Sequence, residues 1–598
     1  MNKFYRIDHK EDIPFYVTED KSVSYKDAID KIERITTLFD NNGLKSGDKI
    51  AIMSEDDLEV SLLFIAALLN GITVTILDRE TKAIKLNSIL NLLEPKLLFI
   101  DKDKSKSLDS NLDCSRYLIS KEEKSSFFNK LFSKISKTTQ QFNYYEKIKK
   151  AKPIQPQFKA KDNDTAYILF TSGTTSEPKG VEISYFALSE HLKTLQKVYK
   201  IDKESKILNI LELSHGDGII QGPLLAFFSN ISLYRPFRFK INKIQDLLEF
   251  IYSKEITHFI SVPSMLSLIN QFSKKNIDLL KNSSILYISS AGALLETKLW
   301  KDFQNNFGKD IINVYGLTES VAGGLFTQPG NKEHIGTIGE PIDSKAKIVN
   351  KDGKEVLDGE VGELILSGNH IMKGYYKNRE TTLEVLKDGW LYTGDLAYKQ
   401  NGIFTITGRV KNIISTKGFT VYPEEITTVI NEHPLVQESV VFGVENPTIG
   451  EEIVAAIVVK DKRDISKTDI LEYCREHLES YKIPKRVEFL ESLPKGRSGK
   501  VVVSEVKEII NNGDLKEISL EKDIFKLAAE HFLVPLEQIN KDSSSETISS
   551  WDSLGHLEFI ALLESHFNIT FNTAEMMRIE KLGDIIDIVK EKIKGVGK

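Results

Sequence analysis

Phe170-Thr171-Ser172-Gly173-Thr174-Thr175-Ser176-Glu177-Pro178-Lys179-Gly180 closes the apolar run that begins at Ala166. Hydroxyls at Thr171, Ser172, Thr174, Thr175 and Ser176, a glycine that admits close backbone N–H groups, and Lys179 make a surface suited to phosphate oxygens. The spacing departs from the usual P-loop, since Pro178 comes five residues after Gly173 and no Ser or Thr follows Lys179. That argues against a GTPase or motor ATPase. Composition alone leaves a plain surface loop open as the alternative.

Around this loop, short apolar runs alternate with longer amphipathic stretches: Lys49 to Met53, Thr73 to Leu77, Lys96 to Ile100, Thr165 to Phe170, His258 to Val262 and Ile285 to Ser289. The pattern predicts mixed α/β layers with buried strands. The longest apolar stretch, Val60 to Leu77, is broken by Asn70-Gly71, and reads as a buried helix to Leu69 and a strand from Ile72. Between Asp101 and Asp164 the chain is rich in Lys, Ser, Asn and Gln, which predicts a variable, partly helical surface segment. A small α/β unit is expected from about Thr405. Asn511-Asn512-Gly513-Asp514 reads as a linker into a helical remainder.

A chain of 598 residues exceeds what one core supports, so several domains are expected. A net charge of −6, with 80 basic and 86 acidic residues, gives no ground for a nucleic-acid partner. Cys114 and Cys474 are the only two cysteines, which excludes a disulfide framework and a four-cysteine zinc site and points to a reducing cytoplasm. The basic start Met1 to Asp8 has no apolar core behind it, so neither a secretory signal nor a membrane span is expected.

Further strings carry chemistry. In Asn313-Val314-Tyr315-Gly316-Leu317-Thr318-Glu319-Ser320, a ring, a hydroxyl and a carboxylate can stack on a base, bind phosphate and hold a magnesium ion; a packed strand end is the plain alternative. Tyr392-Thr393-Gly394-Asp395-Leu396 puts one carboxylate in a tight turn, able to accept from two hydroxyls or to serve only as a turn. Leu493-Pro494-Lys495-Gly496-Arg497-Ser498-Gly499-Lys500-Val501 is either a solvated basic loop or the seat of a charge-stabilising lysine. His215, in Leu213-Ser214-His215-Gly216-Asp217-Gly218, could be a structural histidine. In Ser550-Trp551-Asp552-Ser553-Leu554-Gly555-His556-Leu557, Asp552 could simply cap a helix whose apolar face runs through Leu554, Leu557, Ile560, Leu563 and Phe567.

Taken in order, the loop, the Tyr315 to Glu319 string, the Asp395 string, Gly408-Arg409-Val410-Lys411 through Gly418-Phe419, and the Lys500 string resemble the adenylate-forming superfamily. That superfamily comprises acyl- and aryl-CoA synthetases, peptide-synthetase adenylation domains and luciferases. The resemblance implies that Thr171, Ser172, Gly173, Thr174, Thr175 and Lys179 hold phosphates, with Thr318 as a further phosphate contact. It implies that Gly292, Ala293 and Tyr315 bound the adenine, Asp395 takes the ribose, Arg409 contacts the nucleotide and Glu319 binds Mg2+. Lys500 then assists adenylation, Lys411 is the hinge in place of a common aspartate, Gly418 lines the pantetheine tunnel, and His215 gates an acyl pocket between His215 to Gly222 and Ser290 to Leu325. Relatives that activate amino acids usually carry an aspartate directly after the aromatic; here Gly216 stands there and Asp217 is one further on, which counts against an α-amino acid.

The remainder resembles an acyl carrier protein, with Ser553 as the attachment point for 4′-phosphopantetheine. From Leu515 to Lys598 there are 15 acidic and 10 basic residues, a balance suited to docking on basic enzyme surfaces. The expected fold is α/β: a large multi-layer adenylation core over residues 1–410 and a small α/β subdomain over 411–510, followed by an all-α helical-bundle carrier domain over 515–598. The implied reaction uses ATP to convert a carboxylic acid to an acyl-adenylate, then to a thioester on the chain's own carrier. A phosphopantetheinyl transferase and a downstream acyl-accepting enzyme are the implied partners. The alternatives are a free acyl- or aryl-CoA ligase with an unused tail, an amino-acid-activating peptide-synthetase loading module, and an inactive carrier-bearing interaction module.

Overall fold

In the computed structural model the described residues are 13–108, 114–119, 141–171, 178–273, 276–416, 419–446, 450–460, 465–495, 501–532, 534–548, 551, 553–567, 569–576 and 578–596. Two large sheets form the core. The first contains eight strands among the described residues and runs in parallel through Lys49–Met53, Thr73–Ile76, Leu97–Asp101 and Thr165–Thr171, with antiparallel Lys179–Ser184 and Gly374–Tyr375 at one edge. The second contains nine, with Lys206–Asn209, His258–Ser261, Tyr287–Ser290 and Ile311–Leu317 parallel and Gly323–Phe326 antiparallel beside them. The parallel strands carry unbroken apolar runs because both faces are covered; Leu97 to Ile100 are all buried.

Helix Asp57–Leu69 is buried along nearly its whole length, as a continuous apolar run requires. Its first turn is pinned by the buried Arg235, which donates to Asp57 Oδ2 (2.5 Å), to the Asn209 carbonyl (2.6 Å) and to the Leu211 carbonyl (3.0 Å). A buried guanidinium persists only where its charge is paired and most of its donors find acceptors; here both Nη atoms do, while Nε has none among the described residues. The stretch expected to be a surface segment is partly core: Ser115–Ile119 pairs with Leu97–Asp101, and Tyr144 is buried with its hydroxyl on Glu59 Oε2 at 2.9 Å. Its polar composition hid two strands, Ser115–Ile119 and Gln141–Asn143, and the buried Tyr117 and Tyr144.

A third, antiparallel sheet holds Ser344–Val349, Gly362–Gly368, Leu386–Lys387, Trp390–Gln400 and Ile403–Arg409. Because Ile403–Arg409 belongs here, the small α/β unit begins after the Val410–Asn412 turn rather than at Thr405. That unit packs Pro423–Glu432 and Lys467–His477 on one face of a sheet. Its other face is covered by Val506 and Ile510 of helix Val503–Phe532.

The same helix passes without interruption through Asn511 to Asp514, so the expected linker is helical. Glycine costs about 1 kcal/mol in a helix interior, and the helix has packing at both ends to offset it. Ile524, Ala528 and Phe532 at its far end join Trp551, Phe559, Leu563, Leu582 and Val589 in a separate all-helical core. No described helix is long and apolar enough to cross a membrane.

His191 on helix Tyr185–Val198 and His370 are both buried, with ring centroids 6.2 Å apart. Neither Nε2 has a hydrogen-bond partner among the described residues. Burial, helped by the neighbouring His370, pulls His191 down to about 3. Burial likewise pulls His370 down to about 4, against the opposing effect of Asp343. In the unfolded chain both titrate near ~6.5, so below that pH the unfolded state binds protons that the fold excludes. This contribution to stability is therefore complete above pH ~6.5 and is lost as pH falls toward 4, at up to about 1.4 kcal/mol per pH unit for each histidine. Urea unfolding between pH 6.5 and 4.5 should follow that slope, and His191→Leu should flatten it by about half. An unchanged slope in the variant would remove His191 from the account.

Candidate active site

Three of the expected nucleotide contacts come together across the second and third sheets. Tyr315 lies on Ile311–Leu317, Asp395 on Trp390–Gln400, and Arg409 closes Ile403–Arg409 directly opposite Asp395 in the register. The Tyr315 hydroxyl donates to Asp395 Oδ2 at 2.6 Å, and Arg409 Nε donates to Oδ1 at 2.5 Å. Burial, reinforced by Asp395, holds the Tyr315 phenol well above its ordinary pKa, so it stays a donor.

Asp395 does not sit in a tight turn. Tyr392 to Leu396 form an irregularity inside an eleven-residue strand, where Gly394 adopts φ +71°. The Asp395 N–H donates to Thr393 Oγ1 (3.0 Å) and the Gly394 N–H to Glu363 (3.0 Å). A β-bulge of this kind re-aims one side chain out of the ladder.

Thr171 ends its strand, and Lys179 opens the next in register with it. Ser172, Gly173, Thr174 and Thr175 lie outside the described residues. Lys179 Nζ stands 5.8 Å from the Tyr375 ring centroid, and the Tyr375 hydroxyl donates to Glu319 Oε1 at 2.7 Å. Glu319 follows Thr318 in the turn Thr318–Ser320, and its carbonyl accepts from the Met372 N–H (2.8 Å). Sequence reasoning missed Tyr375. Only the pairing of Tyr375 with Val181, one strand over, brings it between the lysine and the carboxylate, and no local spacing signals that.

Among the described residues no cluster of three or more His, Cys, Asp or Glu could hold a metal ion. A single half-buried carboxylate is the donor set Mg2+ uses when substrate phosphates and water supply its other ligands, so Glu319, in the turn Thr318–Ser320, fits the implied ion.

The three segments expected to enclose the acid approach one another closely. Gly216 faces Ala322, with room for no more than a tight contact, and an added Cβ on Gly292 would stand 3.6 Å from Asp217 Oδ2. Gly292 holds φ +79°, with Ala293 next to it. His215 occupies the N-cap position of the short helix Gly216–Ile219 without a side-chain capping bond, and its buried Nε2 has no partner among the described residues. Lys411 is exposed in the Val410–Asn412 turn, and Ser553 opens helix Ser553–Phe567. Gly418 and Lys500 lie outside the described residues.

Residues 5–376 match the model of the AMP-binding enzyme family, and residues 425–500 match that of its C-terminal domain. The chain belongs to the AMP-binding enzyme family. It is accordingly an adenylate-forming acid–thiol ligase. A putative acyl–CoA ligase of Bacillus subtilis (strain 168) is 28% identical over 84% of this chain and 96% of its own length. The sulfoacetate–CoA ligase of Cupriavidus necator is 32% identical over 59% of this chain and 68% of its own. Among solved structures, ATP-bound MatB from Rhodopseudomonas palustris superposes with a TM-score of 0.74 at 24% identity, covering 85% of this chain and 98% of MatB. This last likeness carries the fold of the AMP-binding core.

Proposed function

We propose that this AMP-binding enzyme activates a carboxylic acid with ATP and loads it as a thioester onto Ser553 of its own C-terminal helical bundle. The observation that carries the reading is the gathering of Tyr315, Asp395 and Arg409 into one hydrogen-bonded group, on a chain that ends in a separate helical core.

Asp395 accepts the ribose hydroxyls, Tyr315 covers the base, and Lys179 with Thr318 and the Thr171 to Thr175 loop holds the phosphates. Glu319 holds Mg2+, which neutralises phosphate charge when bound. A carboxylate oxygen of the acid attacks the α-phosphorus, and the bond to pyrophosphate breaks. Lys500 offsets the negative charge that builds there. His215 closes the acyl side against water. The small unit then turns about Lys411, which withdraws Lys500 and opens the path past Gly418. Ser553 would carry 4′-phosphopantetheine, whose thiol would supply the acceptor for the acyl group in exchange for AMP.

The second reading is a free CoA ligase, favoured by relatives that are themselves named as CoA ligases. One experiment separates the two. The chain is treated with a phosphopantetheinyl transferase and CoA, then given ATP and pooled carboxylic acids, and its Ser553 peptide is weighed. Acyl mass on that peptide is expected. Acyl-CoA in solution at the same rate from untreated protein, with nothing on Ser553, would establish the second reading.

A further inference from the structure

We infer that Tyr375 is a positioning residue for the metal half of the nucleotide site: it holds the Glu319 carboxylate ready for a divalent cation and keeps the Lys179 ammonium from pairing with it. This rests on the roles proposed above for Glu319 and Lys179.

One short segment ties the two large sheets together at this point. The Met372 N–H donates to the Glu319 carbonyl at 2.8 Å, and the Tyr375 hydroxyl donates to Glu319 Oε1 at 2.7 Å. Glu319 is thereby held by its main chain and its side chain from the same segment. On its other side that segment is fixed to the strand Lys179–Ser184: the Lys373 N–H donates to the Glu182 carbonyl (2.9 Å) and the Tyr376 N–H to the Gly180 carbonyl (2.7 Å). The Tyr375 N–H donates to Thr382 Oγ1 at 2.8 Å, and Gly374 lies so near Thr382 that an added Cβ would stand 2.7 Å from its Cγ2. The ring of Tyr375 thus stands on an anchored backbone, and its hydroxyl marks one fixed place for the carboxylate.

The chemistry of the hydroxyl matters as much as its place. A phenol has one proton to give, so bonding Oε1 leaves Oε2 to serve a metal ion, and a neutral donor leaves the carboxylate its full charge. An ammonium bound there would cancel that charge, and a divalent cation would first have to displace it. Lys179 Nζ instead lies over the Tyr375 ring, 5.8 Å from its centroid. A cation–π contact at that range is weak, so phosphate oxygens can draw the ammonium away at little cost. Both charges are then kept for the nucleotide rather than spent on each other.

The test reads metal affinity apart from turnover, using the full chain, saturating α,β-methylene-ATP, and Mn2+ followed by electron paramagnetic resonance. Tyr375→Phe, which keeps the ring and loses the hydroxyl, should weaken Mn2+ binding ~10-fold, while nucleotide affinity in EDTA stays within ~2-fold. In a Glu319→Gln background the same substitution should add less than ~2-fold. Tyr375→Leu, which also removes the face beneath Lys179, should weaken Mn2+ binding further than the Phe variant does. Equal effects of Phe and Leu would overturn the part assigned to Lys179. Unchanged Mn2+ affinity in Tyr375→Phe, or equal losses with and without metal, would overturn the inference and leave the proposed function standing. Unchanged Mn2+ affinity in Glu319→Gln would defeat the metal role of Glu319, and the inference with it.

Discussion

Asp395→Asn should lower kcat/KM for ATP at least about a hundredfold, chiefly through KM, while the thermal midpoint moves by only a few degrees. A carboxylate offers about four lone-pair sites, of which Tyr315 and Arg409 occupy two. The rest can accept the two ribose hydroxyls. Hydrogen bonds to a charged group are worth about 1.5–3 kcal/mol each, so losing their charged character across two bonds removes about 3 kcal/mol, or roughly two powers of ten. Asparagine has one acceptor oxygen, so its amide must also face either the Tyr315 hydroxyl or the Arg409 N–H. Arg409 is half exposed at 51%, and water can satisfy it there. ATP–pyrophosphate exchange at varied ATP, beside a melting curve, gives both quantities. A change under threefold would mean that Asp395 only holds Tyr315 and Arg409.

Ser553→Ala should abolish acyl mass on the protein entirely while ATP–pyrophosphate exchange continues. Contacts of neighbouring residues hold the helix start around Ser553. His531 Nε2 bonds the Gly555 carbonyl at 3.1 Å, and Trp551 Nε1 donates to His556 Nδ1 at 3.1 Å. The Trp551 ring stacks on Phe532 at 4.8 Å. Burial lowers the pKa of His556, which keeps the Nδ1 lone pair available to Trp551. Alanine has the highest helix propensity, so the substitution removes a hydroxyl and little else. Mass spectrometry of the transferase-treated variant decides. Acyl mass persisting on the Ser553→Ala protein would place the acceptor elsewhere.

The parts of this fold that sequence conveys are those whose physics is local. Leu97 to Ile100 had to be a strand covered on both faces, and the Asn70-Gly71 break separates helix Asp57–Leu69 from strand Thr73–Ile76. What escaped depends on partners far along the chain. Tyr144 looks like a surface residue until Glu59, from a different helix, needs a buried donor. Asn511 to Asp514 have turn chemistry, yet apolar packing before and after them carries a helix through. Gly394 read as a turn because φ > 0 was legible and the flanking strand pairing was not. In the site, the motif residues Tyr315, Asp395 and Arg409 were each legible as strings, whereas Tyr375, with no string of its own, is placed only by strand register.

Arg235 has a consequence for how this part of the core could change over evolutionary time. It holds Asp57 at the head of a core helix and the Asn209 carbonyl, and the Asn209 amide reaches Asp217. Removing one partner of a buried ion pair typically costs about 3–5 kcal/mol, so losing Arg235 or Asp57 would threaten the fold before any local effect could be selected. Change around Asn209 and Asp217 is thereby open only to substitutions that leave the Arg235–Asp57 pair in place.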